Sequence, residues 1–556
     1  MKDLKPSEIA DHKYYLEGKE GKLLRRSVCT PGTRVHLLDD IIRWVKNTSA
    51  DGPSVYWLFG HAGSGKSTIA YTVARRFEYA GEIDGSVILG GNFFCSRQFE
   101  ETKQSKCIIR TIAYHLALVC KPFADVLRSN AVYRNPKAQL EGLLVKPWRE
   151  SKEAREAVPK ASPHYLIIID ALDEIDGEGG LELLSELFEV VRDGGLAGLK
   201  FFATSRPDPD LVNRVDQFER KELYRLQDVG KEEAEKDIKM YLAAELPHLA
   251  DSPEMGKLVA SSDGLFIYAA TIVRYLAGYG PTEQEELLDE LLSGLDAVMP
   301  KKSLSLLDTL YQQILSHSFL HLNEVIRIRR LRILHTFLCT AERTSQHVVA
   351  GLFCPPDRYG LWIDGAAAIL KDLHAVLYIE DNRIMSYHKS FSDFMFDRAR
   401  CQEFWCDRAA HHRLLTESCF RVMRAQLKFN IANIPSSFIL DRDNTTLQAD
   451  VEHNVSAVLR YSCRYWSHHL CATRRVLSDP VWDTLSQFLH LHALFWVEVM
   501  NLLKVADQCD TMIRAASEWV GQVGSFNGES FAPNLEEVGP FFSSQSCRSF
   551  KVCGLL

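Results

Sequence analysis

Apolar residues recur along this chain in two rhythms, and the balance between them changes near residue 230. Before that point, short runs are apolar almost throughout: Val55–Phe59, Val87–Leu89 continuing to Phe93 and Phe94, Tyr165–Ile169, and Lys200–Thr204. Stretches of helical spacing separate them. Leu37, Leu38, Ile41, Ile42, Trp44 and Val45 share one face, as do Ile69, Ala70, Val73, Ala74 and Phe77, and then Ile108, Ile109, Ile112, Ala113, Leu116 and Ala117. Strands that are apolar on both faces and alternate with helices predict an α/β domain, a parallel sheet covered by helices on each side. Lys146 to Pro163 is polar, charged and bounded by prolines, and reads as a surface connection.

Beyond residue 230 the strand rhythm fades. Glu232–Leu246, Met255–Leu276 and Leu304–Ile314 read as helices, followed by a basic helix around Arg327-Ile328-Arg329-Arg330. Two short runs at Ala375–Ile379 and Arg383–Tyr387 flank Glu380-Asp381-Asn382 and predict a hairpin, with a helix from Ser390 to Arg398. Helices before a hairpin suggest a winged-helix unit. Residues 400–505 are helical in pattern, and the chain after Asp507 carries no clear fold. The expected division is a polar segment at 1–28, an α/β domain at 29–225, a small helical domain at 226–300, a winged-helix-like domain at 301–400, a helical domain at 401–505 and an irregular tail at 506–556. No repeat of solenoid length is present.

Composition narrows the partners. The 556 residues suggest roughly three to five domains. A net charge of −8 gives no bulk electrostatic case for nucleic acid or an anionic membrane, so neither is expected as a partner. The N-terminal residues hold no apolar signal core, and the greasiest stretch, Leu265–Val273, stops at Arg274. Fourteen cysteines without a spacing framework read as reduced thiols of a cytoplasmic protein.

The chemistry begins where the first apolar run ends. Gly60-His61-Ala62-Gly63-Ser64-Gly65-Lys66-Ser67-Thr68 fits the phosphate-loop pattern at every fixed position, between a strand and a helix. That arrangement aims backbone N–H groups and a helix N-terminus at a polyphosphate, with Lys66 on the β/γ-phosphates and the Ser67 hydroxyl on Mg²⁺. Such a fold needs a carboxylate at a neighbouring strand end, and Leu166-Ile167-Ile168-Ile169-Asp170 supplies it. Asp170 is the Mg²⁺ candidate; Asp173 and Glu174 are candidates to orient or deprotonate the attacking water. An acidic loop capping the next helix is the plainer alternative. Arg206 ends the Lys200–Thr204 run, where it either contacts the γ-phosphate or caps a strand at the surface.

Together these residues resemble the NACHT family of STAND nucleoside triphosphatases. Gly60–Thr68 matches its Walker A, Ile167–Glu174 its Walker B and Thr204-Ser205-Arg206 its sensor 1. The Cys29–Arg34 turn and the Trp44 helix look like the lead-in of nephrocystin-3-like, NOD-like-receptor-like proteins of mushroom-forming fungi. Similar stretches continue through Leu307–Tyr311, Tyr387–Phe394, Asn430–Ser437 and Arg460–Leu470. The resemblance implies a signalling switch: ADP held at rest between the nucleotide-binding and winged-helix domains, exchange for ATP or GTP with Mg²⁺, slow hydrolysis, and nucleotide-dependent self-association or association with longer relatives. It implies that His388 contacts the β-phosphate of the resting nucleotide; a histidine that merely holds its turn is the other reading. Gly264-Leu265-Phe266 is similar to the family's Gly-x-Pro near adenine, with Phe266 in place of the proline. Members often carry an effector domain before this region and repeats after it, so a shortened relative, or one that joins fuller partners, is expected.

Other features carry less. Cys401, Cys406, His411 and His412, and likewise Cys463, His468, His469 and Cys471, lack paired zinc-ligand spacing and read as packing. Cys553-Gly554-Leu555-Leu556 formally fits a prenylation ending. Arg327, Arg329, Arg330 and Arg332 raise a DNA-binding option, but Val325, Ile326, Ile328, Leu331 and Ile333 make a packed helix with a charged outer face the simpler reading. A non-catalytic nucleotide-bound scaffold and a P-loop kinase of a small molecule remain alternative functions.

Overall fold

The computed structural model describes residues 4–14, 27–47, 49, 52–78, 87–127, 136–157, 164–297, 306–353, 359–380, 382–434, 444–474 and 481–524. The chain divides into two compact units. The first comprises Met1–Ile314 with His374–Glu380 and Ser386–Phe391; the second comprises Leu315–Leu373, Asp381–Met385 and Ser392–Leu556.

The first unit is built on a parallel sheet of five strands: β1 (Val55–Phe59), β2 (Val87–Phe94), β3 (His164–Asp170), β4 (Leu199–Ser205) and β5 (Lys221–Arg225). Their spatial order is β2-β3-β4-β1-β5. Period-two alternation divides the apolar runs between two cores. Val55, Trp57, Phe59, Ile167, Ile169 and Phe201 enter one, with Ile108, Ile112 and Leu116 of helix α3 (Ser105–Val119). Tyr56, Leu58, Leu166, Ile168 and Phe202 enter the other, against helix α1 (Val35–Lys46) and helix α2 (Lys66–Glu78). Each fully buried side chain of this size contributes roughly 1.5–3 kcal/mol, which fixes the register on both faces. The α/β fold expected from the pattern is present, followed by helical regions.

The structure departs from the pattern reading in several places. β5 escapes it because Lys221-Glu222-Leu223-Tyr224-Arg225 is an edge strand only half buried, with polar residues where a central strand would be apolar. Residues 4–14 of the segment expected to be featureless pack against β2: Leu4 and Ala10 are buried, the Phe94 N–H donates to the Ala10 carbonyl (2.9 Å) and the His12 N–H to Asn92 Oδ1 (2.8 Å). The expected connection at Lys146–Pro163 is helical where described, a π turn at Leu140–Val145 leading into Lys146–Glu150 and Lys152–Glu156. Trp148 there is fully buried, edge-on to Tyr165, with its indole N–H on the Ala197 carbonyl (2.9 Å). Charged flanks conceal that one large apolar anchor. The stretch Met255–Leu276 is two helices, Pro253–Ser262 and Phe266–Leu276, because Asp263 and Gly264 turn into the left-handed region.

Further along the chain the expected hairpin is present, β6 (Leu377–Glu380) with β7 (Arg383–Ser386), and Asn382 at φ +60° makes its turn. In the second unit, the helices Arg408–Gln426, Ala457–Cys471, Val481–Leu491 and Ala493–Leu502 enclose Phe420, Trp466, Phe488 and Trp496. The tail expected to be irregular opens with a helix, Gln508–Gly524, whose Cys509, Met512, Ile513, Ala516 and Trp519 are buried. In the helix Glu324–Cys339 the packed face is Ile333, Leu334 and Phe337, whereas Val325 and Ile328 are exposed. Arg327 pairs with Glu403 and Arg330 with Asp372. Among the described residues, no helix is long and apolar enough to cross a membrane, and the cysteines are free thiols. The CGLL ending lies outside the described residues.

Candidate functional site

β1 ends at Phe59, and the next six residues form a loop before α2 starts at Lys66. The Gly60 N–H donates to the Ser205 carbonyl of β4 (3.3 Å), which ties the loop to the sheet. Gly63 and Gly65 take φ of +78° and +93°, a region where a side chain is strained. A Cβ at Gly63 would meet Ile267 Cγ2 at 2.0 Å, because the Ile267 N–H donates to the Gly63 carbonyl (3.0 Å). At Gly65 nothing lies within 4 Å of where a Cβ would stand. The result is an open cradle at a helix N-terminus, a fit for a phosphate group.

Lys66 is buried, and its ammonium donates to the carbonyls of Gly60 (2.7 Å) and His61 (3.0 Å). Burial pushes its pKa down to about 8, while the nearby Asp173 and Asp170 carboxylates pull upward. Ser64 is buried, its hydroxyl donating to the His61 carbonyl (2.9 Å); Ser67 faces solvent, and Ala62 and Thr68 are half-buried. Asp170 ends β3 at 2 % exposure, and its Oδ1 accepts from the Thr204 hydroxyl (2.6 Å). Oxygen donors from Ser67 and Asp170 are the hard ligands that Mg²⁺ selects.

The acidic pair after Asp170 is already engaged. Asp173 accepts from the Arg206 backbone N–H (3.0 Å) and lies 3.4 Å from the Arg206 side-chain Nε. Glu174 accepts from the Arg97 backbone N–H (3.1 Å), and the Arg97 guanidinium donates to the Asp173 carbonyl (3.1 Å). Burial raises the Glu174 pKa; Lys389 opposes that and Asp173 adds to it.

His388 belongs to the same unit. Its Nδ1 accepts from the Ser390 backbone N–H (3.1 Å) and lies 2.7 Å from the Ser390 hydroxyl, itself 2.8 Å from the Tyr311 hydroxyl. With Nδ1 occupied as an acceptor, the neutral ring carries its proton on Nε2. Burial, then the positive charges of Arg206, Lys66, Arg274 and Lys389, push its pKa down to about 3. Lys389 Nζ lies 3.9 Å from Asp173 Oδ2. The segment is held in place by Gln98, whose side chain donates to the Ser386 carbonyl (3.1 Å) and accepts from the Ser386 N–H (3.3 Å).

The expected residues therefore gather at the C-terminal ends of β1, β3 and β4, with His388 added from far along the chain. Pattern reading missed Arg34, Arg97, Lys389 and Gln98. Arg34 is 6 % exposed; its guanidinium donates to the Ser64 carbonyl (3.2 Å) and sits 4.9 Å from the Phe266 ring, and its backbone N–H donates to Asp237 (3.1 Å). Only its place just before α1 hinted at that. Lys389 was readable as the neighbour of His388; Arg97 and Gln98 sit in a polar loop with no signal.

A family model described as nephrocystin 3, N-terminal, matches residues 32–206, from the turn before α1 to the arginine that ends β4. Over this stretch the chain carries a P-loop NTPase domain of the nephrocystin 3 N-terminal type. The matched span holds the phosphate loop, Asp170, the Asp173–Glu174 pair and Arg206. A search of curated proteins returns no match. Among solved structures, the Walker-type ATPase PABY2304 of Pyrococcus abyssi is 15% identical, with 66% of this chain and 97% of that one covered at a TM-score of 0.31. A STAND protein with a tetratricopeptide repeat sensor, PH0952 from Pyrococcus horikoshii, is 11% identical, with 91% of this chain and 65% of that one covered at 0.33. Cdc6p from Pyrobaculum aerophilum is 10% identical, with 70% and 96% covered at 0.29. The likeness to nephrocystin 3 rests on the family model over residues 32–206, and the P-loop fold on the chain's own sheet and loop, not on these distant structures.

Proposed function

We propose that this chain is a nucleotide-dependent switch of the NACHT and STAND kind, resting with ADP and exchanging it for ATP or GTP with Mg²⁺. The observation that carries the reading is His388. A neutral imidazole with its donor on Nε2 stands within the field of Lys66 and Arg206, delivered by a hairpin far from the loop in sequence. On the proposed reading that N–H donates to the β-phosphate and registers the closed state, and the 301–400 region acts as the winged-helix part of the switch.

The loop residues Gly60 to Thr68 would hold the phosphates, with Lys66 leaving the Gly60 and His61 carbonyls to reach them. Ser67 and Asp170 would hold Mg²⁺, which when bound supplies charge neutralisation at the β- and γ-oxygens. Glu174, its pKa raised by burial, or Asp173 would orient and deprotonate water; Arg206 would meet the γ-phosphate after leaving Asp173. The Arg206–Asp173 and Arg97–Glu174 contacts engage both carboxylates in this conformation, which fits slow turnover. They equally favour a second reading, a scaffold in which nucleotide is a structural ligand.

Purified protein should retain ADP, and Lys66→Ala should abolish retention. Unchanged ATP or GTP binding in that variant sinks the proposal. Phosphate release without an added acceptor separates a triphosphatase from a kinase, and zero turnover with tightly held ADP selects the scaffold. Light scattering in ADP and in non-hydrolysable triphosphate analogues tests nucleotide-dependent self-association.

A further inference from the structure

The two Cys- and His-bearing stretches that lack zinc spacing in the sequence each send imidazoles to one place in the second unit. His412 comes from the helix Arg408–Gln426, and His468 and His469 from the helix Ala457–Cys471. Ring nitrogens of the three lie within 4.8 Å of one another. Their ring centroids are 5.1 Å (His412–His469), 5.4 Å (His468–His469) and 5.7 Å (His412–His468) apart. Three imidazoles bound tetrahedrally at about 2.0–2.1 Å would hold their centroids about 5 Å apart, so the rings need only small rotations to share an ion.

Hydrogen bonding gives a second, independent indication. His412 Nδ1 and His469 Nδ1 are 2.8 Å apart, so a single proton lies between two lone pairs. His412 Nε2 meets no donor or acceptor among the described residues, on a side chain 1 % exposed, so Nδ1 is the nitrogen that His412 turns toward the cluster. On the other side, His469 Nε2 lies 2.8 Å from the Tyr461 hydroxyl, which accepts the Ala341 N–H (3.1 Å). An outer hydrogen bond of that type orients a metal-binding imidazole and selects which nitrogen faces the ion. His468 is exposed and opens the cluster to solvent.

We propose that His412, His468 and His469 bind one divalent transition-metal ion of the zinc class, with a fourth position open to water. Three imidazoles and no carboxylate suit zinc, copper or nickel rather than magnesium or calcium. The ion would fasten the two helices together at the edge of the aromatic core. Arg408 bears electrostatically on His412 and lowers the affinity below that of a carboxylate-flanked site. The site is separate from the phosphate loop and does not depend on the nucleotide reading.

The test uses the full untagged chain, stripped with chelator, desalted and titrated with Zn²⁺ and with Co²⁺. The expected results are one equivalent bound and the visible absorption of four-coordinate Co²⁺. His468→Gln, an exposed change that leaves the core intact, should weaken zinc binding by about 100-fold or more, and Tyr461→Phe by roughly 10- to 100-fold. Lys66→Ala should bind zinc as the unaltered chain does. Absence of uptake at micromolar zinc overturns the proposal. So does zinc bound equally well by His468→Gln, since the metal would then sit on cysteines elsewhere.

Discussion

Lys66 spends this conformation bonded to the loop it belongs to, and that costs it a charge-stabilising partner. Two carbonyls stand in for phosphate oxygens, and the pKa of about 8 should climb once a polyanion arrives. His388 shows the opposite logic. Its folded-state pKa of about 3 lies below the ordinary histidine value near 6.5, so the unfolded chain takes up a proton first as pH falls. Its neutral state stabilises the first unit fully above about pH 6.5, and that contribution declines between there and about pH 3. His388→Gln should therefore flatten the dependence of the first unit's stability on pH across that window, read by denaturant titration at several pH values. A slope identical to the parent would refute the buried neutral assignment. Gly63→Ala should cost about 1–3 kcal/mol in the same assay, from left-handed backbone strain and the collision with Ile267. The placement of Lys66, Ser67, Asp170 and Glu174 at the loop and the strand end was legible because motif spacing encodes it. Arg34 and Arg97 were not, because their partners, Asp237 and Glu174, are distant in the chain and only the fold brings them together.

Among elements, β1 to β4 were legible since their largely buried faces leave apolar runs. β5 was not, and neither was the helical stretch at 146–156, where Trp148 is the one large buried side chain amid lysines and glutamates. Trp148→Ala should cost roughly 3–5 kcal/mol, as for other buried aromatics, because it removes the Tyr165 and Phe123 contacts together with the Ala197 hydrogen bond. A loss under 1 kcal/mol in denaturant melts would restore the reading of that stretch as a loose surface connection. The hairpin β6–β7 was legible for a different reason: its acidic-amide turn interrupts two β-rich runs, and Asn382 supplies the left-handed residue the turn needs.

For the whole molecule, two units with separate cores imply separate cooperativity. Scanning calorimetry should resolve two transitions. ADP should raise only the one that contains the phosphate loop, by an amount that grows with ligand concentration. A single transition moved bodily by ADP would show the two cores melting as one. The change of rhythm near residue 230 does not mark this division: the sheet ends at Arg225, yet the helices that follow belong to the first unit as far as Ile314.

The segment at residues 4–14 has a consequence for the sheet it lies beside. β2 is an edge strand, yet its sequence, Val-Ile-Leu-Gly-Gly-Asn-Phe-Phe, has none of the charges that make β5 an unattractive template. Such a margin recruits strands from other copies unless something covers it. Here Ala10 takes the Phe94 N–H, His12 engages Asn92, and the Ser7 N–H donates to Thr111 on α3. This short run therefore occupies part of the margin that another copy would otherwise pair with. A chain lacking residues 1–14 should form concentration-dependent aggregates in light scattering while the charged β5 margin stays inert; a monodisperse truncation would show that β2 protects itself.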